Sequence, residues 1–212
     1  MPPIHTLFRI STSDALVAGI HSGAISVGVV LDLGDFGLGA CADPDDEMIV
    51  LDGQAYQVHR GGRVSEAQPS ARVRFAVVTR FLSQIDVEIE PSTTFGDLEA
   101  RCDTFRTLDN ILYAFRLDGR FDRIRARTVN PPQRGEDLFD AVEARSELDL
   151  ADVRGTLVGL WSSGLSSAFG VGGYHFHFLS EDRQYGRRLL DCVAGPLRLK
   201  MEVVTDFHLA LP

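Results

Sequence analysis

The chain has 212 residues, 44% of them hydrophobic and 24% charged, with a formal net charge of -9. That length buries one sizeable core or two small packed lobes, and the composition is that of an ordinary globular protein. The acidic balance, with no lysine- or arginine-rich run, argues against a nucleic-acid partner, and no apolar run is long enough to span a bilayer. Any anionic substrate must then be held by locally placed arginines against an unfavourable overall field. The three cysteines, Cys41, Cys102 and Cys192, are scattered and odd in number, and the first residues carry no basic region followed by an apolar core. Both features fit a cytoplasmic protein with reduced thiols.

In chain order, Ser11, Thr12 and Ser13 precede a short capped helix predicted over 14–20, which Ser22 and Gly23 would stop. Residues 24–33 are apolar enough to be a helix or a buried strand, and periodicity does not decide between them. Gly34, Gly37 and Gly39 then read as a bend or a close backbone approach. Residues 47–51 and 55–59 are predicted as two strands joined through Asp52-Gly53, and 74–82 with 85–89 as another hairpin. Ser92, Thr93 and Thr94 cap a helix over 95–105, with Asp97 and Glu99 where the helix dipole favours them. Residues 110–117 and 121–129 read as two strands around an Asp118-Gly119-Arg120 turn. A proline-rich junction at 131–135 divides the chain into a β-rich lobe, 1–130, and a second β lobe, 131–212. An amphipathic helix is expected over 136–148, strands over 153–161 and 197–204, and a small-residue loop over 162–170. The fold class is therefore α+β: two packed mixed or antiparallel sheet lobes with a few short helices.

The richest stretch is 172–192, GGYHFHFLSEDRQYGRRLLDC. His175 and His177 alternate with Tyr174, Phe176 and Phe178, so in a strand the imidazoles share one face and the aromatics the other. Two imidazoles so placed suit either a metal or a pair of structural hydrogen bonds. The polar 180–186 stretch suits a hairpin loop, which would return Arg188 or Leu190 to face the pair. Taken by themselves, Glu47 reads as a solvated residue at a strand start, and Arg123, Arg125 and Arg127 as one exposed strand face.

GYHFHFLSEDR followed by G-x-x-x-L-D resembles the signature of the α-acetolactate decarboxylases, as do GDFGLGA at 34–40, D-x-E-M-I-V-L-D-G-x-x-Y-Q at 45–57, LYAFRLDGRF at 112–121 and F-H-L-x-L-P at 207–212. The resemblance implies that family's fold, a homodimer paired through sheet edges, and zinc bound by His175, His177 and a third histidine thirteen residues after the first. That third position is Arg188 here. It further implies an active-site glutamate at Glu47, a catalytic arginine at Arg127, and a pocket threonine at the position of Ala40. The family's further C-terminal stretch, bearing a second active-site glutamate, has no counterpart within these residues.

A guanidinium has no lone pair for a metal and keeps its charge. The zinc site is therefore expected to be weak or absent, with Glu47, Asp191 or His208 as substitute ligands, or with Arg188 itself presenting donors to an oxyanion. Three readings follow. The first is a lyase acting on a small 2-hydroxy-3-oxo acid or related β-keto acid through an enediolate, with Glu47, Arg127 and Arg188 catalytic. The second is a metal-independent isomerase, cyclase or decarboxylase in the same pocket. The third is a non-catalytic binder of small acids.

Overall fold

The computed structural model describes residues 5–10, 25–42, 47–127, 147–163 and 172–210. The helix expected over 14–20, the 131–135 junction and most of the 136–148 helix lie outside these residues. Two sheets carry the described chain. The first contains β1 (Thr6–Ile10), β2 (Ile25–Ser26), β3 (Phe36–Cys41), β4 (Glu47–Leu51), β5 (Gln54–Val58), β6 (Val64–Glu66), β7 (Arg72–Thr79) and β13 (Asp206–Ala210). Its order is β13-β1-β7-β3-β4-β5-β6, with β2 against β7; β13 runs parallel to β1, and the other pairings are antiparallel. The second contains β8 (Ile85–Ile89), β9 (Leu112–Arg127), β10 (Glu147–Ser162), β11 (Gly173–Ser180) and β12 (Gly186–Val204). Its order is β11-β10-β9-β12-β8, and β11 also pairs with β12, so β9 to β12 close into a ring.

Several local signals act as read. Asp52 and Gly53 have φ of 54° and 77°, the left-handed pair that lets a two-residue turn join β4 to β5. Helix α1 (Val27–Leu33) buries Val27 and Val30 and settles the ambiguous apolar run mainly as helix. Helix α2 (Phe95–Asp103) starts at Thr94, whose Oγ1 accepts from the Asp97 N–H at 3.1 Å, while the Asp97 carboxylate accepts from the Thr93 N–H at 3.1 Å. Leu98 and Cys102 are its buried face.

Four expectations are corrected. Asp118-Gly119-Arg120 is not a turn, because β9 runs unbroken between β10 and β12 and its backbone is paired on both edges. Asp118 accepts from Arg116 Nε and Thr156 Oγ1, each at 2.7 Å, inside the sheet. Leu197 crosses so closely that a Cβ on Gly119 would lie 2.5 Å from its Cδ2. Strands β7 and β8 do not form a hairpin: they belong to different sheets, and Phe81 between them stacks on Phe36 at 4.4 Å. Glu147 and Leu148 open strand β10 rather than end a helix. The chain from Gly186 to Val204 is one strand, whose pairing with β9 shifts register on either side of Ala194 and so accommodates Gly195-Pro196. The chain leaves the first sheet between Thr79 and Ile85 and returns to it at β13, so Arg127 lies in the same sheet as the histidine strand.

Burial explains where the site lies. Phe115, Phe121, Phe176 and Phe178 fill the ring, while Met48, Val50 and Val78 pack against Val27 and Val30 of α1. A third cluster joins the sheets: Phe36, Leu38, Ile49, Leu51 and Val58 meet Ala114, Val158 and Leu179. Along β11, Phe176 and Phe178 therefore point into the ring, and His177 and Leu179 point toward the first sheet. Gly159 makes room for this: a Cβ there would lie 2.1 Å from Phe176 Cδ1.

Candidate active site at the junction of the sheets

Two hairpins bring the site together. Residues 180–186 return β11 into β12 so that His177 pairs with Arg188 and Phe178 with Arg187. The 59–64 turn of the first sheet is tied to that return by Gly186 N–H to Gly62 O at 3.0 Å and Val64 N–H to Gln184 O at 3.1 Å. These bonds seat the start of β4 against the histidine strand. Glu47 Oε2 lies 3.4 Å from His177 Nδ1 and accepts from the Arg188 backbone N–H at 3.3 Å. On β3, Ala40 pairs directly with Glu47.

His175 Nε2 and His177 Nε2 are 3.0 Å apart, so one donates to the other's lone pair. His177 is 4% exposed, and its Nδ1 has no hydrogen-bond partner of proper geometry among the described residues. Burial, and then the Arg188 charge, push His175 down to about 4. Burial, His175 and Arg188 hold His177 well below the ordinary imidazole value. Both rings are therefore neutral near pH 7. Burial pushes the Glu47 carboxyl up to about 7, against the opposing pull of Arg187 and of the Arg188 N–H and charge. A group poised there both gives and takes a proton near neutrality.

The cationic side of the site is a cross-strand row. Arg188 pairs with His177 on one side and with Arg127 on β9 on the other. Arg188 is half-buried; burial, then the Arg127 charge, lower its proton affinity, though a guanidinium stays charged. Arg127 is half-buried as well, not a fully solvated face residue, and its Nε is buried without a hydrogen-bond partner among the described residues. The two guanidinium charges repel one another, so the pair gains from any anion placed against it.

Sequence reasoning missed Arg187. It is 1% exposed, donates from Nη2 to His59 O at 3.3 Å, and lies close enough to Glu47 to pull on its proton. Nothing in the Arg187-Arg188 doublet separates the two; only the packing of the 59–64 turn does.

The donors present do not match a zinc site with three protein ligands. The two Nε2 atoms converge, but Glu47 addresses the far nitrogen of His177, and the third direction is taken by Arg188. Among the described residues, no three His, Cys, Asp or Glu side chains converge on a common point. Asp191 instead accepts from the N–H groups of Phe95 and Cys192 at 2.8 and 3.0 Å. His208 lies on β13 against Phe8, with ring centres 5.2 Å apart. Neither stands at the histidine pair. Cys41, Cys102 and Cys192 are buried thiols, and among the described residues no helix is long and apolar enough to cross a membrane.

Comparison with known proteins supports the same relationship over nearly the whole chain. A family model described as alpha-acetolactate decarboxylase matches residues 7–212. An alpha-acetolactate decarboxylase of Methanosarcina mazei is 32% identical over 207 residues, 97% of this chain and 72% of its own length. One from Lactococcus lactis subsp. cremoris is 27% identical over 212 residues, 100% of this chain and 90% of that protein. The crystal structure of alpha-acetolactate decarboxylase from Bacillus subtilis strain 168 superposes with a TM-score of 0.89 at 28% identity, covering 98% of this chain and 89% of that one. Matched by that family model over residues 7–212 and by these relatives over nearly its whole length, the chain belongs to the alpha-acetolactate decarboxylase family.

Proposed function

We propose that this chain is a carbon–carbon lyase that decarboxylates a small 2-hydroxy-3-oxo acid through an enediolate. The carrying observation is the convergence, from four strands of two sheets, of Glu47, His177, Arg188 and Arg127. In this reading Arg127 orients the departing carboxylate. The bond from that carboxylate carbon to C2 breaks, its electron pair enters the C2–C3–oxygen system, and CO2 leaves. Arg188 presents N–H donors to the oxygen where charge develops, as a preorganised donor to an oxyanion. Glu47 in its protonated form then delivers a proton to C2, and water restores it.

His175 and His177 remain the residues that would hold zinc, which when bound would polarise the substrate oxygens as a Lewis acid. With Arg188 in the third position the reading is of weak or substoichiometric zinc, and no step above requires it. The metal-independent variant of the reading, on another β-keto acid, draws on Arg188 and on the missing hydroxyl at Ala40. A cytoplasmic homodimer formed through an open sheet edge completes the proposal. The deciding experiment is acetoin formation from acetolactate by purified protein, with and without chelator. No acetoin from either enantiomer, and no CO2 from any small β-keto acid, would remove the lyase assignment.

A further inference from the structure

The row His177–Arg188–Arg127 narrows the substrate of that lyase, and the inference rests on the lyase reading. Each residue of the row faces the next directly across a ladder, so their side chains leave the sheet on one face. Glu47 reaches the row, where it is engaged by the Arg188 N–H and lies close to Arg187. Asp191, further along β12, is turned to the N–H groups of Phe95 and Cys192. The two guanidiniums thus share one face with the histidine pair, and the buried Arg127 Nε has no acceptor among the described residues. A substrate with one carboxylate would match only one of them.

We propose that the Arg127–Arg188 pair selects a dianion: a 2-hydroxy-3-oxo acid carrying a second carboxylate. Arg127 takes the carboxylate that leaves as CO2. Arg188 takes the one that stays, along one edge of its planar fork, and still has N–H donors for the enediolate oxygen. The retained carboxylate is chemically unchanged, so the electron and proton balance of the decarboxylation stands as written. The charge also remains matched through the reaction, because the enediolate keeps the negative charge that CO2 gives up until Glu47 protonates carbon.

Calorimetric titration with succinate and with butyrate, four-carbon acids with two carboxylates and one, tests this. The unmodified protein is expected to bind succinate at least about tenfold more tightly. In Arg188→Gln the ratio should fall to within about threefold, and in Arg188→Lys, which keeps the charge but not the fork, to an intermediate value. Equal binding of the two acids, or a ratio unchanged in the variant that folds, overturns the inference. Acetoin formation on the same preparations separates the two claims. Succinate preference without lyase activity on any β-keto acid sinks the lyase reading and leaves the subsite. Turnover of the monoanion acetolactate without succinate preference sinks the subsite and leaves the lyase.

Discussion

Glu47 Oε2 lies 3.4 Å from His177 Nδ1 although the two residues stand in different sheets and 130 positions apart in the chain. The contact exists because the 59–64 turn and the 180–186 return are hydrogen-bonded to each other, which seats the first residue of β4 over the histidine strand. Burial at this junction gives the carboxyl its raised pKa of about 7.

The first prediction follows from that carboxyl. Its folded pKa is raised from an ordinary 4.5, so between pH 4.5 and 7 the folded state binds more protons than the unfolded one. Stability tied to Glu47 is then present below about pH 4.5 and is lost as pH rises through 7. Glu47→Gln removes this dependence. The stability difference between variant and unmodified protein should move in the variant's favour by up to about 3 kcal/mol from pH 4.5 to pH 8. Urea unfolding at the two pH values measures it, and a difference that stays constant would contradict the raised pKa. The same variant should lose turnover by at least about a hundredfold if Glu47 transfers the proton.

Zinc content is the second. Arg188 faces His177 directly across the ladder, and a unit positive charge about 4 Å from a divalent ion costs several kcal/mol at an effective dielectric near 20. Each 1.4 kcal/mol is tenfold in affinity, so protein purified without added metal should carry well under one zinc per chain. Arg188→His removes the charge and adds an imidazole. Its zinc content by elemental analysis should rise toward one per chain, and full zinc in the unmodified protein would defeat the argument.

Ala40 supplies the third. It pairs with Glu47 across the β3–β4 ladder, so Ala40→Thr places a hydroxyl beside the carboxylate. A hydrogen bond to the charged form lowers an acid's pKa. The Glu47 titration, followed by carbon-13 NMR of labelled carboxyls, should move below its value in the unmodified protein, and the pH profile of turnover should move with it. An unmoved titration would show that the new hydroxyl turns elsewhere.

Gly159 supplies the fourth. A methyl group there would fall 2.1 Å from Phe176 Cδ1, inside the packed ring and directly behind the histidines. Gly159→Ala should destabilise the protein by about 1–3 kcal/mol or more, since a close-packed core accommodates an added carbon only by strain. Thermal unfolding reads the loss. By displacing Phe176, the substitution should also reduce binding of small acids at the site, whereas Gly96→Ala in α2, where the nearest atom to the added carbon is Thr94 Oγ1 at 3.8 Å, should leave binding unchanged.

What the sequence by itself determined are the features whose cause lies within a few residues. The Asp52-Gly53 turn depends on two backbone angles, the Thr94 cap on one side chain and the next turn of helix, and the histidine face of β11 on strict alternation with Phe176 and Phe178. The return of the chain toward the histidine pair belongs here too, since a short polar loop brings the next strand back, while the observed register decided that Arg188 and not Leu190 meets His177. The family motifs carried Glu47 and Arg127 into the same reading. Tertiary structure alone decided the rest. Asp118-Gly119-Arg120 has every local mark of a turn, yet β10 and β12 pair with both edges of the strand and hold it straight. Thr79 and Ile85 look like the two sides of a hairpin, yet each completes a different sheet. Arg187 and Arg188 are chemically identical neighbours, and only the first is sealed, by the 59–64 turn arriving from the other sheet. In each case the deciding contacts come from residues distant in the chain, whose pairing and burial outweigh local preferences of a few tenths to about 1 kcal/mol per residue.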